Sequence, residues 1–183
     1  MIGVRGYSKD EGIRIVCYNP EWKNMAQSEI EFLYRVLGDG VLIEHFGSTA
    51  IPGCCAKDIV DIQIWAEDQM EVERIRAILM PLYQGVSSSE SQAKGFLCFD
   101  KCVEIDNEIR RTHHIHVRSN FEEWQRGICF RDYLVAHPDA VVRYEQIKQH
   151  AAMCAPDDMT EYSRLKGDFI NEITVLARKE IGY

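Results

Sequence analysis

The sequence predicts an α/β (α+β) fold, a small mixed sheet backed by helices. Three observations carry that reading. Several stretches repeat apolar residues every three to four positions, as helices packed on one side do. The run DIVDIQIWA alternates instead, with Val60, Ile62 and Ile64 facing one way while Asp61 and Gln63 face the other. The order of elements is helix, strand, strand, helix, a strand pair, then three helices, which suits helices layered on a sheet.

The elements follow in turn. Residues 1–12 read as a polar lead-in and 13–183 as a single domain, since 183 residues fit one domain. Residues 13–17 read as a short strand. Asn19-Pro20-Glu21 opens a helix whose stripe is Trp22, Ala26, Ile30, Leu33 and Leu37, and Gly38-Asp39-Gly40 ends it. Residues 41–46 form a strand that runs into the turn GSTAIPG. After DIVDIQIWA, Asp68 with Glu71 starts a helix with the stripe Val72, Ile75, Leu79 and Leu82. VSSSESQAK reads as a loop. GFLCFDKCVEI and RTHHIHVRS are two strands, joined around Asp106-Asn107 as an antiparallel pair. Asn120 with Glu123 opens a helix carrying Trp124, Ile128 and Leu134. Pro138 ends it and begins another over 141–153, and a last helix over 158–181 buries Tyr162, Leu165, Phe169, Ile173 and Leu176.

Composition narrows the function. Hydrophobic content of 46% and charged content of 27% exclude wholesale disorder. A net charge of −8 argues against bulk nucleic-acid binding and against anionic membranes, while a local basic pocket could still hold a nucleotide or phosphorylated small molecule. No apolar run is long enough to span a membrane, and the first residues lack the apolar core of a secretory signal. The seven cysteines are odd in number and contain no CxxC pair, so reduced thiols and a cytoplasmic location are expected. Cys54 and Cys55 show no neighbour in sequence that would lower their pKa.

Three features point toward one site. Gly47-Ser48 ends a strand; glycine lets backbone approach a ligand, and free amides beside a hydroxyl hold phosphate. The same pair also reads as a simple turn. Asp61, on the polar side of its strand, offers the carboxylate that metal-assisted phosphoryl chemistry needs, or merely faces solvent. In His113-His114-Ile115-His116, His114 and His116 share a face and can bind a metal or move protons, or else satisfy each other's neighbours by hydrogen bonds. Basic residues near these features include Lys57, Arg110, Arg111 and Arg131; Arg111 and Arg131 are the better anion candidates, and each also reads as a surface salt-bridge partner.

Six blocks in order, YNPEW, IEHFGSTAIPG, AKDIVDI, RTHHIHV, FRDYLVAHP and YSRLKGDFI, together resemble the GrpB family over residues 13–178. The resemblance implies a fold like the nucleotidyltransferases of the polymerase-β type. There, a Gly-Ser turn holds the triphosphate and strand carboxylates hold Mg²⁺. Gly47 and Ser48 match the turn, and Asp61 matches the first carboxylate. Some family members are fused to dephospho-coenzyme A kinase, which points to nucleotide or cofactor metabolism. The sequence departs from the pattern at Gln63, where active enzymes carry a second acid, and at Asp58, where the family commonly shows proline. One carboxylate with His114 and His116 suits Zn²⁺ or Mn²⁺ better than Mg²⁺. HHIHVRS also resembles the histidine-triad hydrolases, but Arg118 stands where their last alternating histidine belongs.

Three functions follow as expectations. The first is a nucleotidyltransferase-like enzyme using Asp61, His114 and His116 with a divalent metal, its nucleotide held by Gly47, Ser48, Lys57, Arg111 and Arg131. The second is a binding module that kept the fold and lost turnover. The third is a metal-dependent phosphoester hydrolase built on an Asp–His–His cluster.

Overall fold

The computed structural model describes residues 12–85, 95–105 and 107–181. Asn19 accepts the Glu21 amide at 3.0 Å, and helix α1 (Glu21–Leu37) runs from there to Gly38, which leaves the helix at φ 87°. Strand β1 (Leu42–Phe46), a 3₁₀ turn (Ser48–Ala50) and strand β2 (Val60–Trp65) follow. Asp68 caps α2 (Gln69–Leu79) by accepting the Glu71 amide. After the short β3 (Gln84–Gly85) come β4 (Phe96–Ile105) and β5 (Glu108–Arg118), with Asn107 left-handed between them at φ 64°. Asn120 caps α3 (Phe121–Ala136) through the Glu123 amide; Pro138 then opens α4 (Pro138–Cys154), and α5 (Met159–Ile181) closes the described chain.

The five strands lie in the order β1-β2-β5-β4-β3. β2 and β5 are parallel, and the other neighbours are antiparallel. One face of this sheet is apolar. Val60, Ile62, Ile64, Ile115, Val117, Leu97 and Phe99 bury themselves there under α1 and α2, around the fully buried Trp22. The other face is polar and carries α3, against which α4 and α5 pack. Gly127 allows α3 to sit close: a Cβ there would come 2.9 Å from Gln63 Oε1 and 3.0 Å from Phe46. A second core, including Phe130, Leu134, Tyr144, Phe169 and Ile173, joins these helices to Ile51 and Cys54.

Several expectations need correction. Residues 13–17 form no strand; Val16 makes a lone bridge to Ala56. Leu82 falls beyond the end of α2 and is exposed, because Tyr83 turns inward in its place. Leu176 is exposed too, since Phe169, Ile173 and Ala177 already occupy the buried line of α5. The pairing of β3 with β4 was not expected. The loop VSSSESQAK and residues 1–11 lie outside the described residues. No disulfide joins any two of the seven cysteines, and no described helix is long and apolar enough to cross a membrane.

Candidate functional site

Parallel pairing of β2 with β5 sets Asp61 beside His114 and Gln63 beside His116; the β4–β5 hairpin adds Asp100 beside His114 and Cys98 beside His116. All six therefore share the polar face. His116 Nε2 lies 3.5 Å from Asp61 Oδ1, and its Nδ1 lies 3.9 Å from Cys98 Sγ. His114 Nδ1 is 3.7 Å from Asp61 Oδ1, and its Nε2 is 3.1 Å from Asp100 Oδ1. That last contact is close but off-axis, so Asp100 Oδ1 takes no hydrogen bond from it. Period two would send Arg111 to the opposite face from His114. A register shift between Lys101 and Cys102 instead turns Arg111 back toward Asp100, whose Oδ2 it reaches at 3.3 Å.

The Gly47-Ser48 turn abuts this cluster. Gly47 adopts φ 72°, and a Cβ on it would sit 2.7 Å from Asp61 Oδ2, so only glycine fits both the backbone and the approach. Ser48 Oγ meets the Tyr144 hydroxyl at 3.5 Å. Two helical lysines stand over tyrosine rings nearby: Lys148 Nζ is 4.4 Å from the Tyr144 ring centre, and Lys166 Nζ is 4.0 Å from that of Tyr162. Lys148 is buried and donates to the Cys55 carbonyl, with the Cys54 sulfur at 3.0 Å.

These groups perturb one another. Burial works to raise Asp61, but the His116 hydrogen bond and the nearby His116, His114 and Lys57 outweigh it and hold the carboxyl at about 2. Burial, reinforced by His116, pushes His114 down to about 3, so its imidazole is neutral at physiological pH. Burial also lowers Lys166 to about 8, and repulsion from Lys57 and Lys148 adds to the effect. Lys57 is lowered by burial against the pull of Asp61. The Cys98 thiol is pushed up to about 12 by burial and then by Asp61. Cys54 also rises with burial, although Lys148 opposes it.

The protein-family model for GrpB protein matches residues 12–175. The chain belongs to the GrpB family. The glutamate-rich protein GrpB of Alkalihalophilus pseudofirmus is 34% identical over 170 residues, covering 92% of this chain and 97% of that protein. A protein named dephospho-CoA kinase from Mycolicibacterium paratuberculosis is 28% identical, and the match covers 84% of this chain but only 43% of that protein. The crystal structure of GrpB from Enterococcus faecalis superposes at TM-score 0.77 with 28% identity, over 93% of this chain and all of that one. The structure of Cid1, described by its RNA terminal uridylyl transferase activity, reaches TM-score 0.51 at 12% identity, over 76% of this chain and 41% of that one. At that identity the likeness is one of fold. The fold of this chain is nucleotidyltransferase-like.

The nucleotidyltransferases that the sequence resembles pair two carboxylates on one strand for Mg²⁺, and β2 here offers Asp61 alone, with Gln63 in the second place. Gln63 is fully buried, and its Nε2 donates to the Trp124 carbonyl at 2.9 Å, a bond that an ionised acid could not make. Its Oε1 takes no hydrogen bond. The other strand neighbours are two imidazoles, a thiol and the Asp100 carboxylate, and the imidazoles with the thiol form a donor set for softer divalent ions. Among the described residues, the group whose ligand atoms converge, all within 4.8 Å of one another, is Cys98, His114 and His116. Sequence reasoning missed Cys98, Asp100, Lys148 and Lys166.

The remaining site expectations divide. Gly47, Ser48, Asp61, His114 and His116 come together, with Lys57 and Arg111 near enough to act on their titration. Arg131 is engaged elsewhere, by Glu44 at 2.8 Å, Asp132 at 2.7 Å and the His45 carbonyl at 2.7 Å, which clamps α3 to β1. Asp58 has a structural role: it accepts the indole N–H of Trp22 at 2.7 Å and ties the loop before β2 to α1.

Proposed function

We propose that this protein binds a phosphorylated small molecule, a nucleotide above all, on the polar face of its sheet and acts on the phosphate with the help of a divalent ion. The observation that carries the reading is the contact of the Gly47 turn with Asp61, on a face where the charges of Lys57, Lys166 and Arg111 act from three different segments. Half-buried cations that repel one another are stabilised by an anion among them. In this reading Gly47, Ser48, Lys57, Lys166 and Arg111 receive phosphate oxygens. Asp61 stays ionised and steadies His116, while the neutral imidazole of His114 is available to a metal. Arg131 stays out of the phosphate set, because Glu44, Asp132 and the His45 carbonyl hold it against β1.

The transfer of a nucleotidyl or phosphoryl group to water or to an acceptor is the reaction class such a site serves, with one metal in place of two. Gln63 supports a second reading, a binding module without turnover, since its amide is fixed by Trp124 where a second acid would be needed.

Thermal unfolding with a panel of nucleoside mono-, di- and triphosphates, alone and with Zn²⁺, Mn²⁺ or Mg²⁺, tests the binding. A ligand at a hundredfold excess over Kd adds about 2.7 kcal/mol of stability, and Lys166→Met should remove most of the shift. No shift across the panel would overturn the proposal. Turnover that disappears in Asp61→Asn favours the enzyme; binding without turnover under every metal favours the module.

A further inference from the structure

We infer that Cys98 completes a thiolate–imidazole site with His114 and His116 for a zinc-class divalent ion, and that Asp61 orients His116 from behind without binding the ion. The inference builds on the proposed use of a metal on this face and names its ligands.

The two nitrogens of His116 decide the geometry. Nδ1 faces the Cys98 sulfur at 3.9 Å, whereas Nε2 faces Asp61 at 3.5 Å. One imidazole gives a single nitrogen to an ion. If Nδ1 binds beside Cys98, then Nε2–H is left to donate to the carboxylate, the arrangement that fixes tautomer and ring angle in metal-bound histidines. Zinc bonds of about 2.3 Å to sulfur and about 2.0 Å to nitrogen put tetrahedral donors roughly 3.5 Å apart. The sulfur–nitrogen pair is a few tenths of an ångström from that spacing.

His114 repeats the pattern. Asp61 stands 3.7 Å from its Nδ1 and Asp100 stands 3.1 Å from its Nε2, so a carboxylate backs whichever nitrogen is turned away from the ion. Asp100 is fully buried, and its Oδ1 lacks a hydrogen bond. A ring held by a metal and rotated slightly would supply one. Cys98 is buried, while the His114 side chain keeps 24% of its surface exposed, which leaves the cluster open on one side. Three protein donors is the count that catalytic zinc sites use, with the remaining position open. A thiolate beside two imidazoles selects against Mg²⁺.

Full-length protein stripped with a chelator and titrated with Co²⁺ tests this directly. A single Co²⁺ per chain is expected, with the visible bands of tetrahedral cobalt and a sulfur-to-cobalt charge-transfer band in the near ultraviolet. Cys98→Ser should lose the charge-transfer band and keep weaker cobalt binding. Asp61→Asn should keep the band but bind roughly 10–100-fold more weakly, as loss of an orienting carboxylate does. Cobalt bound without the sulfur band, or an unchanged spectrum in Cys98→Ser, would overturn the role of Cys98 while leaving a metal on this face. Absence of cobalt binding in protein whose Tm still rises with a nucleotide alone would overturn the metal site and leave the phosphate pocket standing.

Discussion

Strand β2 presents two surfaces one residue apart, and they obey different rules. Val60, Ile62 and Ile64 are fully buried in an apolar layer under α1 and α2. Asp61 and Gln63, between them, face imidazoles, a thiol and a carboxylate across β5 and β4. The apolar face repays its ordering chiefly with transfer free energy. The polar face retains an Asp100 oxygen and a Gln63 oxygen without hydrogen bonds, and its cations repel one another. A fold that carries such costs on one surface needs a strong opposite surface.

Breaking the apolar face should have the largest effect on stability and the least on ligands. Ile62→Ala is expected to cost about 3 kcal/mol in chemical denaturation, with nucleotide affinity unchanged at a temperature where the protein stays folded. Gln63→Glu probes the polar face one residue away. Its acid would meet the Trp124 carbonyl without a donor, costing about 2 kcal/mol, and the variant should gain no Mg²⁺-dependent thermal shift with nucleotides.

Acid should separate the faces by a different route. Burial lowers His45 from 6.5 to about 4, with Arg131 adding to the effect and Asp61 opposing it. A folded value below the unfolded one gives stability that is complete above pH 6.5 and lost as pH falls toward 4. Discounted for partial solvent exposure, the loss is about 1.5 kcal/mol. It is measured as the difference in unfolding free energy between neutral pH and the folded value, and His45→Gln should reduce it. The smallest effect is expected at Gly127. Ala gains about 1 kcal/mol of helix propensity, but its methyl group would meet Gln63 and Phe46. Overpacking costs roughly 1–3 kcal/mol, so the net loss should be about 1 kcal/mol, read by thermal unfolding.

How much of this was legible in the sequence depended on distance along the chain. The helix starts at Asn19, Asp68 and Asn120 and the alternation of β2 are local, and they hold. The parallel pairing of β2 with β5 joins residues more than fifty positions apart, and nothing local encodes it. Cys98 and Asp100 were hidden by the register shift. Counting outward from the turn at 106–107 pairs Cys102 with Arg111 correctly, but the next step would pair Lys101 with Thr112, whereas its partner is His113. Past that point a simple count puts Cys98 opposite Ile115, on the apolar face, because one residue of slippage exchanges the faces. The lysines carry a local signal in the sequence. Tyr144 with Lys148 and Tyr162 with Lys166 share the same four-residue spacing on two helices, which places each ammonium by its ring.

A crystal structure of the protein soaked with a nucleoside triphosphate and Zn²⁺, with anomalous data at the zinc edge, tests most directly whether the polar face is the working surface. The expected map shows phosphate between the Gly47-Ser48 turn and Lys166, and an anomalous peak among Cys98, His114 and His116. Nucleotide bound away from that face, or a zinc peak confined to other cysteines, would contradict it.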